Sequence, residues 1–302
     1  MAHTTQYEGT VRSEAVRLKG VESLPESGND RLIVIRAQSV IGVWDYIREI
    51  CIFREFLVFL IWRDLTIRYR RTVIGIGWVI FQPVFQAVLL WWIFARRIFS
   101  EQADGLYALQ VFGGTTMWLY GSNSILAAIH HLSTGGNLIT KVYFPRALLA
   151  LSPCVMYLLD LAICSGILMV GIGYCAGISW AMLWLPICYL GVFCSTVGPA
   201  LVVGILAARY RDVKHIAPYF LQLWIFATPG IYLPFLMVTG SRNLLISLFN
   251  PLQAWVSCVA YIIRGTSPPV ELLMIGFLVS VSTCLAGLWI FLRLERNLAD
   301  HL

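Results

Sequence analysis

Charge is scarce in these 302 residues: Asp, Glu, Lys and Arg together make up 13% of the chain, against 59% hydrophobic residues. With a mean hydropathy of +0.76, that scarcity excludes an ordinary soluble domain and leaves no room for a large soluble enzyme domain. No GxxxxGK[ST] occurs, so the chain has no P-loop to cradle ATP, and any ATP used must be hydrolysed on another subunit. The eight cysteines show no CxxC spacing and most lie in apolar stretches, where a free thiol acts as a small core residue; neither a metal site nor a disulfide framework is expected. The first 40 residues lack the apolar core and small-residue cleavage site of a secretory signal, which predicts an N-terminus kept in the cytosol. No dense basic patch accompanies a nucleic-acid-reading module, and no internal repeat is visible.

What is present is organised around residues 60–85, LIWRDLTIRYRRTVIGIGWVIFQPVF. Its first half interleaves Arg63, Asp64, Arg68, Arg70 and Arg71 with Leu65, Ile67 and Tyr69, a mixture suited to a helix at the surface of an anionic leaflet. Its second half carries no charge until Arg96, and a basic cluster directly before such an apolar run predicts a first membrane span starting on the cytosolic side. Gln82 and Pro83 fall inside that span, where an amide and a missing backbone donor are tolerated only if protein or water satisfies the freed groups.

The apolar runs predict an all-α integral membrane protein with spans at 73–94, 106–129, 147–175, 180–208, 216–236 and 270–292. Starting inside, this threading puts His130, His131, Lys141, Arg146, Arg209, Arg211, Lys214, His215, Arg293 and Arg296 in the cytosol, an N-in, C-in arrangement with the expected basic bias. The resulting organisation is a tail at 1–42, an amphipathic interface helix at 43–72, a six-helix membrane domain at 73–292 and a short tail at 293–302. Two connections stand out. The inner loop at 130–146 is too apolar for a plain tether, and Thr134 or Asn137 is placed to cap a short helix ending before Pro145. The outer stretch at 237–269 holds two short apolar pieces, 244–249 and 252–263, separated by Asn250 and Pro251; such pieces re-enter a leaflet only where protein or a cavity satisfies their ends.

Asp160, near the middle of the third span, is the one carboxylate clearly inside an apolar run. A proton relay fits it, and so does a structural carboxylate that is either protonated or hydrogen-bonded to a neighbouring helix; the lack of an acidic partner favours the structural reading. The pair Gly173 with Gly177 fits close helix packing, while Gly75 with Gly77 lacks the third glycine and the strand-turn-helix setting of a dinucleotide loop. Trp91, Trp92, Phe112, Trp118, Tyr120, Phe220, Trp224 and Tyr232 crowd spans one, two and five, where lipid-side packing is the commoner role and flat faces for sugar rings the other.

The junction WRDLTIRYRRTVIGIGWVIFQP resembles the signature of the membrane permeases of ABC transporters that export O-antigen, capsule or teichoic acid. NLITKVYFPRALL at 137–149 and ARYRDVKHIAPYFLQLWIFATPGIYLP at 208–234 resemble the family's other blocks, so the likeness runs from about residue 31 to the end, apart from the N-terminal extension. The resemblance implies a homodimer with a channel between the subunits and two copies of a separate ABC ATPase below, which carry ATP and Mg; no cofactor is expected on this chain. It further implies that Arg63, Arg68, Arg70 and Arg71 meet a lipid pyrophosphate head group, while Gln82, Pro83, Gln86, Trp118, Tyr120, Trp224 and Tyr232 line the channel. The loop bearing Asn137, Leu138, Ile139, Lys141, Tyr143, Phe144 and Arg146 would be the ATPase-coupling helix, and Asn250, Pro251 and Trp255 would belong to short outer gate helices. The expected role is export of lipid-linked polysaccharide, most readily O-antigen on undecaprenyl pyrophosphate for lipopolysaccharide, across a bacterial inner membrane. Two other classes remain: a polyprenyl-linked membrane glycosyltransferase using Glu101 and Asp104, and a proton-coupled secondary transporter using Asp160.

Overall fold

The computed structural model describes residues 43–70, 75–98, 105–134, 144–233 and 241–299, and these are helices and short connections with no strand among them. The chain divides into two units, Met1–Tyr46 and Ile47–Leu302; of the first, only the start of helix α1 (Val43–Ile52) is described. The second contains α2 (Arg54–Tyr69), α3 (Gly77–Ile98), α4 (Gly105–Thr134), α5 (Ala147–Cys175), a 3-10 turn at Trp180–Trp184 running into α6 (Leu185–Arg209), and α7 (Arg211–Trp224). The short pair α8 (Ser241–Phe249) and α9 (Gln253–Ile263) follows, then α10 (Val270–Ala299).

Among the described residues, four segments are long and apolar enough to cross a membrane: Gly77–Phe94, Ala147–Cys175, Trp180–Arg209 and Val270–Glu295. These coincide with four of the six expected spans, and a multi-pass membrane protein follows. The other two differ for physical reasons. Helix α4 has 30 residues but carries Gln110, Thr115, Thr116, Ser122 and Ser124, all buried. It is the central post of the bundle, with α3, α5, α6 and α9 packed around it, so its polar side chains meet protein rather than lipid. Helix α7 stops at Trp224 after 14 residues, about 21 Å at 1.5 Å per residue and short of a hydrocarbon core roughly 30 Å thick. The chain continues as hydrogen-bonded turns through Thr228, Pro229 and Gly230 instead of the unbroken span expected at 216–236.

Prolines inside the long helices leave carbonyls that side chains then occupy. Pro83 breaks the ladder in α3 and frees the Val79 carbonyl, which accepts from Cys164 Sγ of α5 at 3.4 Å. Pro153 does the same in α5, and the Leu149 carbonyl is met by His131 Nδ1 from the end of α4 at 3.3 Å.

Helix α2 runs alongside the first half of α5. Phe56 packs on Phe144 with ring centroids 4.7 Å apart, Asp64 meets Ser152 at 3.3 Å and Arg68 meets Asp160 at 2.7 Å, so the two segments advance together in the same direction. The residues needed to run alongside α5 are polar and charged, which reads as surface pattern in a sequence. Outward, α2 shows Val58, Phe59, Trp62 and Ile67, all more than half exposed.

Candidate functional site

The sequence-singled arginines and Asp160 meet at the α2–α5 seam. Asp160 Oδ2 accepts from Arg68 Nη1 at 2.7 Å, and Oδ1 accepts from the Tyr69 hydroxyl at 3.0 Å. The Arg68 guanidinium also sits over the Tyr157 ring, 4.6 Å from its centroid, an arrangement that adds cation–π attraction to the ion pair. Burial works against the Arg68 charge, but Tyr157 and Asp160 outweigh it and hold its pKa above the ordinary arginine value. Burial first, and then the Asp160 charge, pushes the Tyr69 phenol up to about 12, so it stays a donor at any physiological pH. Of the two sequence readings of Asp160, the geometry matches the hydrogen-bonded carboxylate: its partners are basic and phenolic groups of a neighbouring helix.

A second charged group, which sequence reasoning did not assemble, lies closer to the start of α5. Asp64 is buried, accepts from Arg63 Nη2 at 2.8 Å and from Ser152 Oγ at 3.3 Å, and stands 3.7 Å from His131 Nδ1. The Leu149 carbonyl can only accept, so the His131 proton resides on Nδ1. Burial lowers the His131 pKa most, Asp64 opposes that, and Arg63 reinforces it, leaving it below the usual histidine value. The sign of the linkage follows. A histidine with a folded pKa below its unfolded value of about 6.5 contributes stability above that pH and loses it as the pH falls toward the folded pKa. Acidifying the purified protein from pH 7.5 to 5.5 is expected to lower its melting temperature, and His131→Gln, which keeps a donor for Leu149, should flatten that dependence. Parallel curves for the two proteins would show that His131 is not the titrating group.

Arg70 is exposed beyond this seam, and Arg71 lies outside the described residues. The expected channel residues divide. Gln82 is exposed and Gln86 half-buried on α3, between Trp78, Phe81, Phe85 and Leu89, which together line a shallow groove on one face of that helix. The three rings form a ladder: Trp78 meets Phe81 edge-on at 5.3 Å, and Phe81 stacks on Phe85 at 5.8 Å. Pro83 faces inward. Trp118 and Tyr120 are buried inside the subunit, with the Tyr120 hydroxyl donating to the Cys154 carbonyl at 2.9 Å. Trp224 packs on Phe220 at 5.3 Å, and Tyr232 stacks on Phe94 at 4.5 Å while its carbonyl accepts from the Tyr107 hydroxyl.

Asn137, Leu138, Ile139, Lys141 and Tyr143 of the expected coupling loop lie outside the described residues. Phe144 is buried against Phe56, and Arg146 Nε stands 3.9 Å from Glu295 of α10. Glu101 and Asp104 also lie outside the described residues. Of the expected gate residues, Trp255 is buried with its Nε1 donating to Ser280 Oγ at 2.8 Å, in space left by Gly191 and Gly276. Asn250 donates to the Ala227 carbonyl at 3.0 Å and to Thr228 Oγ1 at 2.8 Å, and Pro251 accepts from Ser195 Oγ at 3.0 Å.

A small cleft adjoins the seam, lined by Arg68, Gln82, Tyr120, Asn123, Tyr157 and Asp160 among others, with about 30 Å³ free. That holds a water or two and is far below the several hundred Å³ of a small-molecule pocket. Among the described residues no group of three His, Cys, Asp or Glu side chains is placed to hold a metal ion.

Membrane-length apolar helices around a buried polar post, with charge gathered at one seam, define a multi-pass membrane protein. The chain is 26% identical over 258 residues to the O-antigen export system permease protein RfbA of Myxococcus xanthus, covering 85% of this chain and 98% of that protein. Two proteins of the same description from Klebsiella pneumoniae are 24% and 22% identical, each covering 82% of this chain and 95% of its own length. No family model matches the chain. The resemblance to permeases of polysaccharide-exporting ABC transporters is thus borne out across most of the sequence.

Proposed function

We propose that this chain is the permease subunit of an ATP-driven exporter of lipid-linked polysaccharide, working as a homodimer with two copies of a separate ATPase in a bacterial inner membrane. The observation that carries the reading is its end-to-end similarity to O-antigen export permeases, over 98% of the Myxococcus xanthus protein's length. The fold supplies a physical complement. The α3 groove lies open on the face of one chain, and a two-fold axis would close such a face against its copy into a path from a single set of helices. The α3 face of Trp78, Phe81 and Phe85 with Gln82 and Gln86 suits that path, because flat rings support sugar faces and amides exchange hydrogen bonds with hydroxyls. Arg63 and Arg68 already have carboxylate partners, which leaves the exposed Arg70 and its neighbour Arg71 as the groups to meet an undecaprenyl pyrophosphate head group. Residues 137–143 are the segment to dock on the ATPase, and Phe144, which follows them in sequence, packs on Phe56 of α2.

Purified complex in vesicles, supplied with ATP and a lipid-linked glycan, tests the reading. Gln82→Leu with Gln86→Leu is expected to cut glycan movement on the order of tenfold, each lost amide contact being worth about 1 kcal/mol, while assembly and ATP hydrolysis persist. If α3 faced lipid, the same exchange would leave export unchanged or improved, and the path would have to lie elsewhere.

A further inference from the structure

Helices α6 and α9 lie against each other in opposite directions, and three rungs fix their register. Ser195 Oγ of α6 donates to the Pro251 carbonyl at 3.0 Å, just before α9 begins. One turn nearer the start of α6, the Trp255 indole lies so close to Gly191 that a Cβ there would stand 2.1 Å from Trp255 Cε2. One turn nearer still are Cys188 on α6 and Cys258 on α9. Each rung steps back along α6 by as many residues, four and then three, as it steps forward along the other strand of the pair. The third rung is therefore thiol against thiol, and the two thiols hydrogen-bond to each other. At the first rung a side chain of serine length already reaches across to backbone, so cysteines on the same two faces have the reach a disulfide needs.

Both cysteines are free thiols, and neither exposes any surface. The other six have different settings. Cys154 and Cys164 donate to the carbonyls of Ala150 and Val79, Cys51 and Cys175 are exposed, and Cys194 and Cys284 are half-buried. A thiol is a weak donor and a weak acceptor, so as thiols Cys188 and Cys258 add little to the hold of α6 on α9. Joined covalently, the same pair would add far more.

We infer that Cys188 and Cys258 are a site of oxidation, joined as a disulfide that fastens α9 to α6 near the outer end of the bundle. The oxidising setting rests on the proposed function and on the N-in threading, which put the first turn of α6 and the pair α8 and α9 on the side away from the cytosol. On that side of a bacterial inner membrane disulfides form and persist. The oxidant is itself a disulfide, of a protein or of a small molecule. The thiolate of one cysteine attacks it, giving a mixed disulfide and releasing one thiol, and the thiolate of the other cysteine then displaces the remaining sulfur. One Sγ–Sγ bond forms, the oxidant's S–S bond breaks, two electrons pass to the oxidant, and the two thiol protons end on its two sulfurs. Buried thiols are inert, so the bond forms while the chain is folding, and the same burial then shields it from reductants.

Peptide mapping of the full-length protein tests the bond without substrate or ATPase. Cells making the protein are quenched with acid and excess alkylating agent, and the denatured chain is digested and read by mass spectrometry with and without reduction. A peptide carrying Cys188 linked to one carrying Cys258 is expected from most chains, and reduction should separate the two. Alkylated thiols at both positions in chains taken directly from cells overturn the inference, whatever an added oxidant achieves afterwards. A link from either cysteine to any of the other six overturns the pairing. Melted in the presence of dithiothreitol, the purified wild type should lose its fold several degrees earlier than without it, while Cys258→Ala should melt at the same temperature in both. Equal responses of the two proteins overturn the fastening role. If that variant does not fold, Cys188→Ala is read in the same way, and the wild-type map needs neither. A linked protein that exports nothing would overturn the proposed function and leave the bond standing.

Discussion

Gly198→Val is expected to be the most damaging single substitution in the membrane bundle, leaving little correctly assembled protein. Helices α6 and α10 cross at Gly198 and Gly287, so closely that a Cβ on Gly198 would overlap the Thr283 carbonyl and one on Gly287 would overlap Gly198 itself. The obstructing atoms are backbone, which no rotamer change moves aside. Overpacking typically costs 1–3 kcal/mol and occasionally more, and here the whole crossing must open, so the upper end, about 3 kcal/mol, is the expectation. The measurement is the fraction of detergent-extracted protein eluting as one species, together with its melting temperature. Gly198→Ala should do measurable harm, while an alanine at Gly166, where a Cβ meets nothing within 4 Å, should be harmless. Equal stability of the Gly198 and Gly166 variants would mean that the crossing is looser than described.

Asp160→Ala is expected to be the second most damaging change, acting through α2. It removes the acceptor that Arg68 Nη1 and the Tyr69 hydroxyl share. Breaking a fully buried ion pair costs about 3–5 kcal/mol. The side chains of Arg68 and Asp160 keep 28% and 15% of their surface exposed, so solvent relieves part of that and about 1–3 kcal/mol is the expected loss. Asp160→Asn keeps an acceptor for Tyr69 and should retain substantial export. The double variant Arg68→Ala with Asp160→Ala should be less harmful than the sum of the single changes, since no unpaired charge remains. Additive losses would show that the pair does not fasten α2 to α5. Abolished export by an assembled, ATP-hydrolysing Asp160→Asn complex would reopen a proton-carrying role.

Several features were legible in the sequence because they depend on local composition alone. Four membrane-length helices, the uncharged run after Arg71 and the two short pieces around Asn250 and Pro251 follow from hydropathy and from proline's missing donor, and the structure has them. The likeness to export permeases was carried by residue patterns and holds over most of the chain. The direction of α2, the break of α7 and the inward placement of Trp118 and Tyr120 were not legible. Each depends on which neighbour a side chain meets. An amphipathic helix reads the same whether its polar face meets headgroups or Ser152 and Asp160, and an aromatic on α4 reads the same whether it faces a path or the bundle core.

The sequence by itself determined that this protein lives in a membrane and resembles an export permease, because water and lipid sort residues by polarity without regard to what lies across the bundle. Only the tertiary structure decided which charges are spent on one another. Arg68 and Asp160 are 92 residues apart, as Asp64 and Ser152 are 88 apart, and the turn at Gly230 finds its acceptor 23 residues on in Gln253. Such pairings form because a buried polar group without a partner is costly, and the partner is whichever group the packing of α2 on α5, or of α9 beside residues 225–233, brings within about 3 Å.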